Sequence, residues 1–600
     1  MERMSKDTSN KKPKDIAENI ERIRHSLAHV LAIAVLKHDP EVKIAIGPST
    51  DVGFYYDFEF SKGKELGEEN LKKLEKEMRN VLKRGFEPER KEVEAKEARE
   101  LFKDQPYKLE LIEEIEEKIK ESGEKISAYT IGDFTDLCEG PHVKNSKDIK
   151  PDSFALSHIA GAYWRGDEKN IMLTRIYGVA FETKDELEKY LEMQKEAKKR
   201  DHRKLGKELD LFIFSDLVGP GLPLWTPKGT ILRKELDAYV KLLRKKYSYQ
   251  DVTIPHLTKK ELYETSGHWD KFGDELFRIQ TREGKEYAVK PMNCPHHTQI
   301  FARKPHSYRD MPQRYAETTM VYRDEQSGEL GGLTRVLSIT QDDSHVFCRQ
   351  SQVKDEFFSI WDIVDTFYKT FGFTLRVRLS FHNPKEIEKH LGTKEVWENA
   401  ENALRSIAEE RGADYFEAIG EATLYGPKID FMAIDSLGRE HQVATIQLDM
   451  NLPERFDLTC TNEKGEHERI VIIHCAVMGS LERFSAVLIE HLAGVFPFWL
   501  SPVQISVLPI TAAHLEYAKE VAETLKAQDI RVELNEDSET LGKKIRNVKI
   551  QKTPYFLVIG DEEVKNKEVM LESRDDGKIG SMTTQALIER LIQEISQKHQ

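Results

Sequence analysis

Two pairs of side chains with metal-ligand or proton-transfer chemistry share one spacing. His25 and His29 lie four residues apart in "HSLAHVLAIAV", and Cys138 and His142 repeat that interval in "DLCEGPH". Such residues bind a metal such as zinc, or they act as hydrogen-bond partners and proton carriers for a polar substrate. A third interpretation, a solvated helix face beside an unrelated turn, is at least as common for an isolated HxxxH. The spacing leaves all three open.

The histidine pair belongs to a predicted amphipathic helix, "IAENIERIRHSLAHVLAIAVLKH". At about 100° per residue, Ile23, Leu27 and Val30 fall within one narrow arc. His25 and His29 lie roughly on the opposite side. The two histidines are therefore not simple members of the apolar stripe.

Length and charge bound the class of protein. A chain of 600 residues exceeds a single core, so several domains are expected. Hydrophobic residues at 39% and charged residues at 33% are typical of a soluble globular protein. A net charge of -14 excludes a uniformly basic nucleic-acid-binding surface but leaves room for a local basic groove.

The cellular compartment is predicted from three features that the sequence lacks: a secretory signal, a membrane span and a disulfide framework. The first 24 residues are charged throughout and have no apolar segment of the kind that a secretory signal needs. No apolar run reaches 18 residues, so no membrane span is predicted. Five cysteines in so long a chain do not make a disulfide framework. We therefore predict a cytoplasmic protein.

Changes in composition predict a multidomain chain of α+β and α/β type. The last hundred residues alternate strand-like and helix-like segments, which predicts an α/β domain with helices on both faces of its sheet. The predicted segments are a disordered Lys-rich tail (1–15), an α+β domain (16–183), a charged helical connector (184–208), a large mixed domain (209–498) and the α/β domain (499–600).

Three motifs in the first domain resemble the editing domain of threonyl-tRNA synthetases, which is related to a domain of alanyl-tRNA synthetases: "HSLAHVLAIAV", "DLCEGPHV" and "AGAYWRGD". The resemblance implies a pocket that hydrolyses mischarged seryl-tRNA without a bound metal, although the same four residue types bind zinc in the alanine relatives. It implies that the pocket is formed by His25, His29, Lys108, Asp136, Cys138 and His142.

The large domain resembles class II synthetases. "YRDEQSGELGGLTR" is similar to motif 2, "GSLERF" is similar to motif 3, and "GPGLPLW" and "TSGHWDKF" flank the motif 1 region. "KPMNCPHH", "TQDDSHVFC", "LYGPKIDF" and "VIIHCAVMGSLERF" resemble the threonine enzymes specifically. The resemblance implies an antiparallel-sheet catalytic core, a C-terminal anticodon-binding domain and a homodimer joined through motif 1.

The implied reaction activates L-threonine with ATP and transfers it to the 3′-hydroxyl of tRNA(Thr). Arginine suits such a site because its guanidinium is always charged and grips phosphate with two donors. By resemblance, Arg323 holds the α-phosphate, Arg335 and Arg483 hold the outer phosphates and adenine, and Glu325 lies near the base. Mg²⁺ would accompany ATP. His268 would relay a proton during transfer to tRNA.

The resemblance also implies one Zn²⁺ per chain, bound by Cys294, His345 and His474, which lie 51 and 129 residues apart. A zinc that ligates the threonine hydroxyl rejects valine, whereas serine differs by only one methyl, worth about 1 to 3 kcal/mol. Editing of seryl-tRNA is then required. The rest of the threonine pocket would be Gln341, Asp343, Tyr425 and Lys428.

Two features depart from the family pattern. The sequence has no room for the small ubiquitin-like domain that precedes the editing domain in many bacterial members. Glu572 stands where an anticodon-reading arginine is usual, although Arg574 is retained. The alternatives are a noncatalytic or specialised paralogue that acts as an RNA-binding regulator or resistance-type variant, and an editing-only hydrolase. Retention of three arginines and three metal ligands favours an active ligase.

Overall fold

Two units make up the chain in this computed structural model, Met1–Lys195 and Glu196–Gln600. The structure describes residues 13–122 and 125–596. Residues 1–12 of the predicted tail lie outside the described residues. The first helix begins at Pro13, within the last residues of the predicted tail. Within the described ranges no helix is long and apolar enough to cross a membrane.

The first unit is an α+β structure, as predicted. A four-stranded sheet has the order β1-β2-β7-β6, and a second sheet has the order β3-β4-β5. Both sheets are antiparallel throughout. The elements are α1 Pro13–His38, β1 Lys43–Ile44, β2 Gly53–Glu59, α2 Leu71–Arg84, β3 Glu89–Val93, α3 Ala95–Leu101, α4 Pro106–Ser122, β4 Ile126–Ile131, β5 Phe134–Leu137, β6 Phe154–Tyr163 and β7 Met172–Ala180.

Helix α1 buries side chains on more than one face, whereas an amphipathic helix on a domain surface buries only one. Leu27, Val30 and Leu31 are fully buried against β2 and α2, as the apolar arc predicts. His29, on the other side, is only 2% exposed, and His25 is half-buried. The interpretation of a solvated histidine face is therefore wrong for His29.

Two helices occupy the predicted connector, α5 Lys184–Arg200 and α6 His202–Glu208. They are separated at Asp201, whose side chain accepts a hydrogen bond from the backbone N–H of Arg203 and so caps α6. Because His202 and Leu205 are buried, α6 is not the solvated helix that its charged sequence predicts. The boundaries of the connector between domains, residues 184–208, stay a prediction.

An eight-stranded sheet forms the centre of the second unit, with the order β10-β14-β15-β22-β19-β18-β16-β17. Its six inner strands pair antiparallel, and each edge strand pairs parallel to its neighbour. The helices before and around it are α7 Pro227–Lys245, α8 Lys260–Ser266, α9 His268–Lys271, α10 Cys294–Ala302, α11 Val353–Thr370, α12 Lys394–Glu410, α13 Asn451–Arg455 and α14 Leu481–His491. The strands are β8 Phe212–Ile213, β9 Leu224–Trp225, β10 Gln250–Asp251, β11 Leu257–Lys259, β12 Arg278–Gln280, β13 Glu286–Val289, β14 Gln313–Tyr322, β15 Ser338–Cys348, β16 Thr374–Phe381, β17 Tyr415–Ile419, β18 Lys428–Ile434, β19 Glu440–Asp449, β20 Thr459–Thr461, β21 His467–Arg469 and β22 Val471–Ser480.

The central strands β15 and β22 differ in composition for a physical reason. The sequence of β22, "VIIHCAVMGS", is almost continuously apolar, as expected for a strand covered on both faces. Neighbouring β15, "SITQDDSHVFC", is rich in polar residues yet mostly buried. Buried polar groups need partners, so β15 is where binding groups are expected to converge.

The C-terminal part of the second unit is an α/β fold, as predicted. Its sheet has the order β24-β23-β25-β26-β27. The three strands predicted from "VQISVLPI", "IRVELN" and "YFLVIG" are parallel, and β26 and β27 add an antiparallel hairpin that the sequence did not indicate. The elements are β23 Ile505–Pro509, α15 Leu515–Lys526, β24 Val532–Leu534, α16 Leu541–Ile550, β25 Tyr555–Ile559, α17 Asp561–Asn566, β26 Glu568–Ser573, β27 Gly577–Thr583 and α18 Thr584–Ser596.

Candidate active sites

A cluster of three metal-type ligands lies on the central sheet. His345 of β15 and His474 of β22 are directly opposite in the strand register. Cys294 joins them as the first residue of α10. One ligand atom from each of the three buried residues lies within 4.8 Å of the others. The fold thus brings together residues that no sequence spacing connects.

Each histidine of this cluster is held through one ring nitrogen. The Nδ1 atoms of His345 and His297 are 2.8 Å apart, and His474 Nε2 is 2.9 Å from Asp449 Oδ2. The other nitrogen is left for a metal, which is the usual arrangement around metal-bound imidazoles. Burial also holds the pKa of His345 well below its usual range, so the ring is neutral and able to ligate. This donor set fits zinc.

His297 and Asp449 are functional candidates that the sequence analysis missed. His297 stands within "CPHH", three residues after Cys294, so a signal was present. Asp449 precedes His474 by 25 residues on a different strand, and nothing in the sequence connects the two.

The cluster opens into a cavity of about 370 Å³. The predicted threonine-pocket residues that line it are Gln341, Asp343 and Tyr425. Asp343 accepts a hydrogen bond from Asn293 Nδ2 at 3.0 Å, and Tyr425 donates one to Gln447 at 2.7 Å. Lys428 does not line this cavity, because its ammonium pairs with the buried carboxylate of Asp430 at 3.1 Å.

A second cavity of about 450 Å³ contains the predicted ATP-binding groups, Arg323, Glu325, Arg335 and Arg483. Arg335 donates to Glu325 Oε2 at 2.8 Å and also pairs with Glu329 at 3.1 Å. Arg323, Gln341 and Thr445 line both cavities. The two cavities therefore meet at one guanidinium, one amide and one hydroxyl group.

His268 is fully buried beside the first cavity. Its Nδ1 is 2.8 Å from Ser266 Oγ, its Nε2 is 3.1 Å from Met292 Sδ, and its ring centroid is 6.2 Å from that of Tyr425. Burial lowers the pKa of His268 to about 3, so the ring is neutral near pH 7. His268 thus does not line the cavity itself but contacts Met292, which does.

The first unit brings together all six predicted editing residues. His25 Nε2 and His142 Nε2 lie 3.2 and 3.3 Å from Cys138 Sγ. Asp136 pairs with Lys108 at 2.5 Å and accepts a hydrogen bond from Tyr56 at 2.6 Å. His29 Nε2 is 3.4 Å from the same carboxylate. Tyr56, three residues into β2, is a member that the sequence analysis did not identify.

Comparisons with known proteins agree with this geometry. Residues 277–492 match the tRNA synthetase class II core domain (G, H, P, S and T), residues 504–594 match the anticodon binding domain, and residues 126–177 match the threonyl and alanyl tRNA synthetase second additional domain. The sheet with its two joined cavities is thus the core of a class II aminoacyl-tRNA synthetase.

Individual relatives narrow this class. The threonine–tRNA ligase of Gloeobacter violaceus is 47% identical, covering 94% of this chain and 90% of the relative. The enzyme of the same name from Thermotoga maritima is 44% identical, and the match covers 95% of this chain and 88% of the relative. A crystal structure of the RNA binding domain of threonyl-tRNA synthetase from Cryptosporidium parvum is 40% identical, with a TM-score of 0.63 over 66% of this chain and 98% of that one. The chain belongs to the threonyl-tRNA synthetase family.

Proposed function

We propose that this chain is an ATP-dependent ligase that activates L-threonine as threonyl-adenylate, transfers it to tRNA(Thr) and hydrolyses mischarged seryl-tRNA(Thr). The observation that carries the proposal is the junction of the two cavities at Arg323 and Gln341. The bond formed in activation joins the carboxylate of one substrate to the α-phosphate of the other. A shared guanidinium at that junction is where such a reaction needs a fixed cation.

In the activation step, negative charge accumulates on the α-phosphate oxygens as the carboxylate attacks. Arg323 would stabilise that charge, and its guanidinium is held over the Phe272 ring at 5.6 Å. Arg335 and Arg483 would bind the outer phosphates and the adenine, beside Glu325. Mg²⁺ bound with ATP would neutralise the pyrophosphate.

Zinc held by Cys294, His345 and His474 would supply a Lewis-acid position for the amino and hydroxyl groups of threonine. Gln341, Asp343 and Tyr425 would enclose the same substrate. Valine, which lacks the hydroxyl, would be rejected strongly, whereas serine would be activated and transferred at a lower rate. The pocket around Cys138 would then remove serine by hydrolysing its ester. Lys428, which pairs with Asp430, does not line this pocket.

The rest of the proposal concerns partners and compartment. The anticodon-binding role is assigned to 499–600, the editing role to 16–183 and the catalytic role to 209–498. The resemblance to motif 1 supports a homodimer. A cytoplasmic location is supported by five cysteines that are all free thiols. The noncatalytic and editing-only alternatives have no feature of the site in their favour.

The decisive experiment is threonine-dependent exchange of pyrophosphate into ATP. We expect exchange with threonine, weaker exchange with serine and none with valine, because only the first two offer a hydroxyl. Hydrolysis of preformed seryl-tRNA(Thr) in the same preparation tests the editing half. Absence of exchange in protein that contains zinc would favour the paralogue alternative.

A separate prediction concerns transfer to tRNA. If His268 accepts the proton of the 3′-hydroxyl, His268→Ala slows single-turnover transfer from preformed adenylate by on the order of 10²-fold and leaves pyrophosphate exchange intact. His268→Gln, which keeps a hydrogen-bonding side chain, separates proton transfer from packing. Unchanged transfer in the alanine variant would show that the residue is structural.

A further inference from the structure

His202 lies at the start of α6 and contacts two other parts of the second unit. Its side chain is buried. Its Nδ1 is 2.7 Å from Glu490 Oε1 of α14, and its Nε2 accepts a hydrogen bond from the backbone N–H of Leu333 at 3.1 Å. Leu333 belongs to the turn 331–335, which also contains Arg335 of the second cavity. One imidazole therefore connects α6, α14 and this turn.

The partners of the imidazole fix which nitrogen carries the proton. A backbone N–H can only donate, so His202 Nε2 is the acceptor and Nδ1 carries the hydrogen that Glu490 accepts. Burial disfavours the charged form of Glu490, but hydrogen bonds from the side chain and backbone N–H of His202 hold the pKa of that carboxyl below its usual value. The carboxylate is thus ionised near pH 7, and both ring nitrogens are engaged.

A metal site is the other chemistry that this cluster could support. One ligand atom from each of Asp201, His202 and Glu490 lies within 4.8 Å of the others. Asp201, however, already pairs with Arg203 at 2.6 Å. Glu490 likewise pairs with Arg439 at 2.7 Å. Since both carboxylates have guanidinium partners and both ring nitrogens are engaged, the cluster is better suited to holding the turn than to binding a metal.

The turn 331–335 is shaped around this imidazole. Gly332 has a φ of 56°, in the left-handed region that favours glycine. A Cβ there would lie 2.4 Å from His202 Nε2, so no side chain fits between them. Within the turn, the N–H of Gly331 donates to the carbonyl of Arg335 at 3.2 Å. A contact that fixes the middle of the turn therefore also fixes the backbone of Arg335.

The two sides of the contact differ in how firmly they are anchored. Helix α14 packs into the core through Leu481, Phe484 and Leu488, among other buried residues. In the turn Leu333 is buried, but Thr334 and Arg335 are exposed. Loss of the imidazole should therefore release the turn and not the helix. It would also leave the buried N–H of Leu333 without its acceptor, which is costly.

We propose that His202 is a positioning residue for ATP, which holds the turn 331–335 against α14 and so presents Arg335 to the nucleotide. The inference deepens the proposed function and rests on it for the role of Arg335. His202 is not among the described residues that line either cavity, so it acts through the turn. None of the described residues that line the first cavity belongs to the turn, so threonine binding should be unaffected.

The first test measures the KM of each substrate in pyrophosphate exchange. His202→Ala should raise the KM for ATP by on the order of 10-fold and leave the KM for threonine unchanged. His441, whose ring pairs with Asp435 at 3.0 Å, is the control, and His441→Ala should match wild type. In an Arg335→Ala background, His202→Ala should add little, because it acts through Arg335. A rise in both KM values, or full additivity with Arg335→Ala, would overturn the inference.

Two amide substitutions separate the two contacts of the ring. The amide of Asn lies as many bonds from Cα as Nδ1 does, and the amide of Gln lies as many as Nε2. His202→Gln can therefore keep an acceptor for Leu333, whereas His202→Asn can reach only Glu490. We expect His202→Gln to keep the KM for ATP within about 3-fold of wild type, and His202→Asn to resemble His202→Ala. The reverse order would overturn the inference.

Gly332→Ala tests the same contact from the side of the turn. Its Cβ would collide with the imidazole, so the KM for ATP should rise. In a His202→Ala background the ring is gone, and the same substitution should add less than it does in wild type. Gly284→Ala is the control for backbone strain alone, because Gly284 has a φ of 77° and no described atom within 4 Å of an added Cβ. Equal effects of Gly332→Ala in both backgrounds would contradict the contact.

A readout that needs no activity is hydrogen–deuterium exchange of the Leu333 amide in the full-length protein. We expect faster deuterium uptake over residues 331–337 in His202→Ala and His202→Asn but not in His202→Gln, with the rest of α14 unchanged. Wild-type protection in His202→Ala would overturn the inference. If wild type lacks threonine-dependent pyrophosphate exchange, the proposed ligase function fails. Faster uptake together with weaker ATP binding by calorimetry in His202→Ala would then still support the positioning role.

Discussion

Arg323→Ala is expected to lower kcat for threonine-dependent pyrophosphate exchange by on the order of 10²- to 10³-fold, the cost of removing one preorganised group that stabilises developing charge. Arg323 lines both cavities, and in the proposed reaction it would face the α-phosphate as the carboxylate attacks. Because that charge develops mainly in the transition state, kcat should fall more than the KM for ATP rises. Initial-rate exchange at several ATP concentrations measures both.

The surroundings of Arg323 explain why its effect should exceed that of Arg335. Arg335 is engaged by the carboxylates of Glu325 and Glu329. Among the described residues Arg323 forms no ion pair, and its guanidinium stacks on Phe272 instead. A cation that is already positioned and has no competing carboxylate needs little rearrangement when the charge appears. Arg335→Ala should mainly raise the KM for ATP.

Two variants control the Arg323 experiment. Arg323→Lys keeps the charge but loses the planar, two-donor geometry, so it should recover only part of the rate. Arg376 is an exposed arginine of β16 that pairs with Glu440 of β19 and lies outside both cavities. Arg376→Ala should therefore leave exchange unchanged. Exchange by Arg323→Ala at the level of Arg376→Ala would contradict the assigned role.

The sequence predicted the fold classes of the domains because local patterns specify them. Alternating strand-like and helix-like segments indicated the C-terminal α/β domain, and family motifs indicated the antiparallel core. The break at Asp201 was missed because one capping aspartate in a long charged stretch is a weak signal. The β26–β27 hairpin was missed because "LESRDDGKIG" contains few strand-forming residues.

The sequence allowed individual site residues to be predicted, but not the hydrogen bonds that connect them to supporting residues. Family motifs identified the candidate residues, and the structure places most of those in the central domain along the two cavities. Asp449 and Tyr56 act through other residues, His474 and Asp136, across strand pairs that only the folded chain creates. Lys428 shows the converse limit, because its motif gives no sign that its ammonium pairs with Asp430 and does not line either cavity.

Cys294→Ser is expected to abolish tight zinc binding at the central sheet and, with it, threonine-dependent exchange. Three protein ligands would hold a metal with one position open, and loss of the thiolate would leave only His345 and His474. Metal analysis after dialysis against a mild chelator measures the zinc, and exchange measures the activity. Cys460→Ser, an equally buried thiol in the short β20–β21 hairpin, is the matched control and should retain both.

Asp449→Asn completes this experiment because it perturbs the site without removing a ligand. Asp449 orients His474 through Nε2 and also accepts hydrogen bonds from the backbone N–H groups of Asn451 and Leu452. Its loss should weaken zinc binding by on the order of 10- to 100-fold. The KM for threonine should then rise at limiting zinc and recover at excess zinc, while the KM for ATP stays constant. A variant that loses exchange but binds zinc normally would show that the carboxylate acts on the backbone turn and not on the metal ligand.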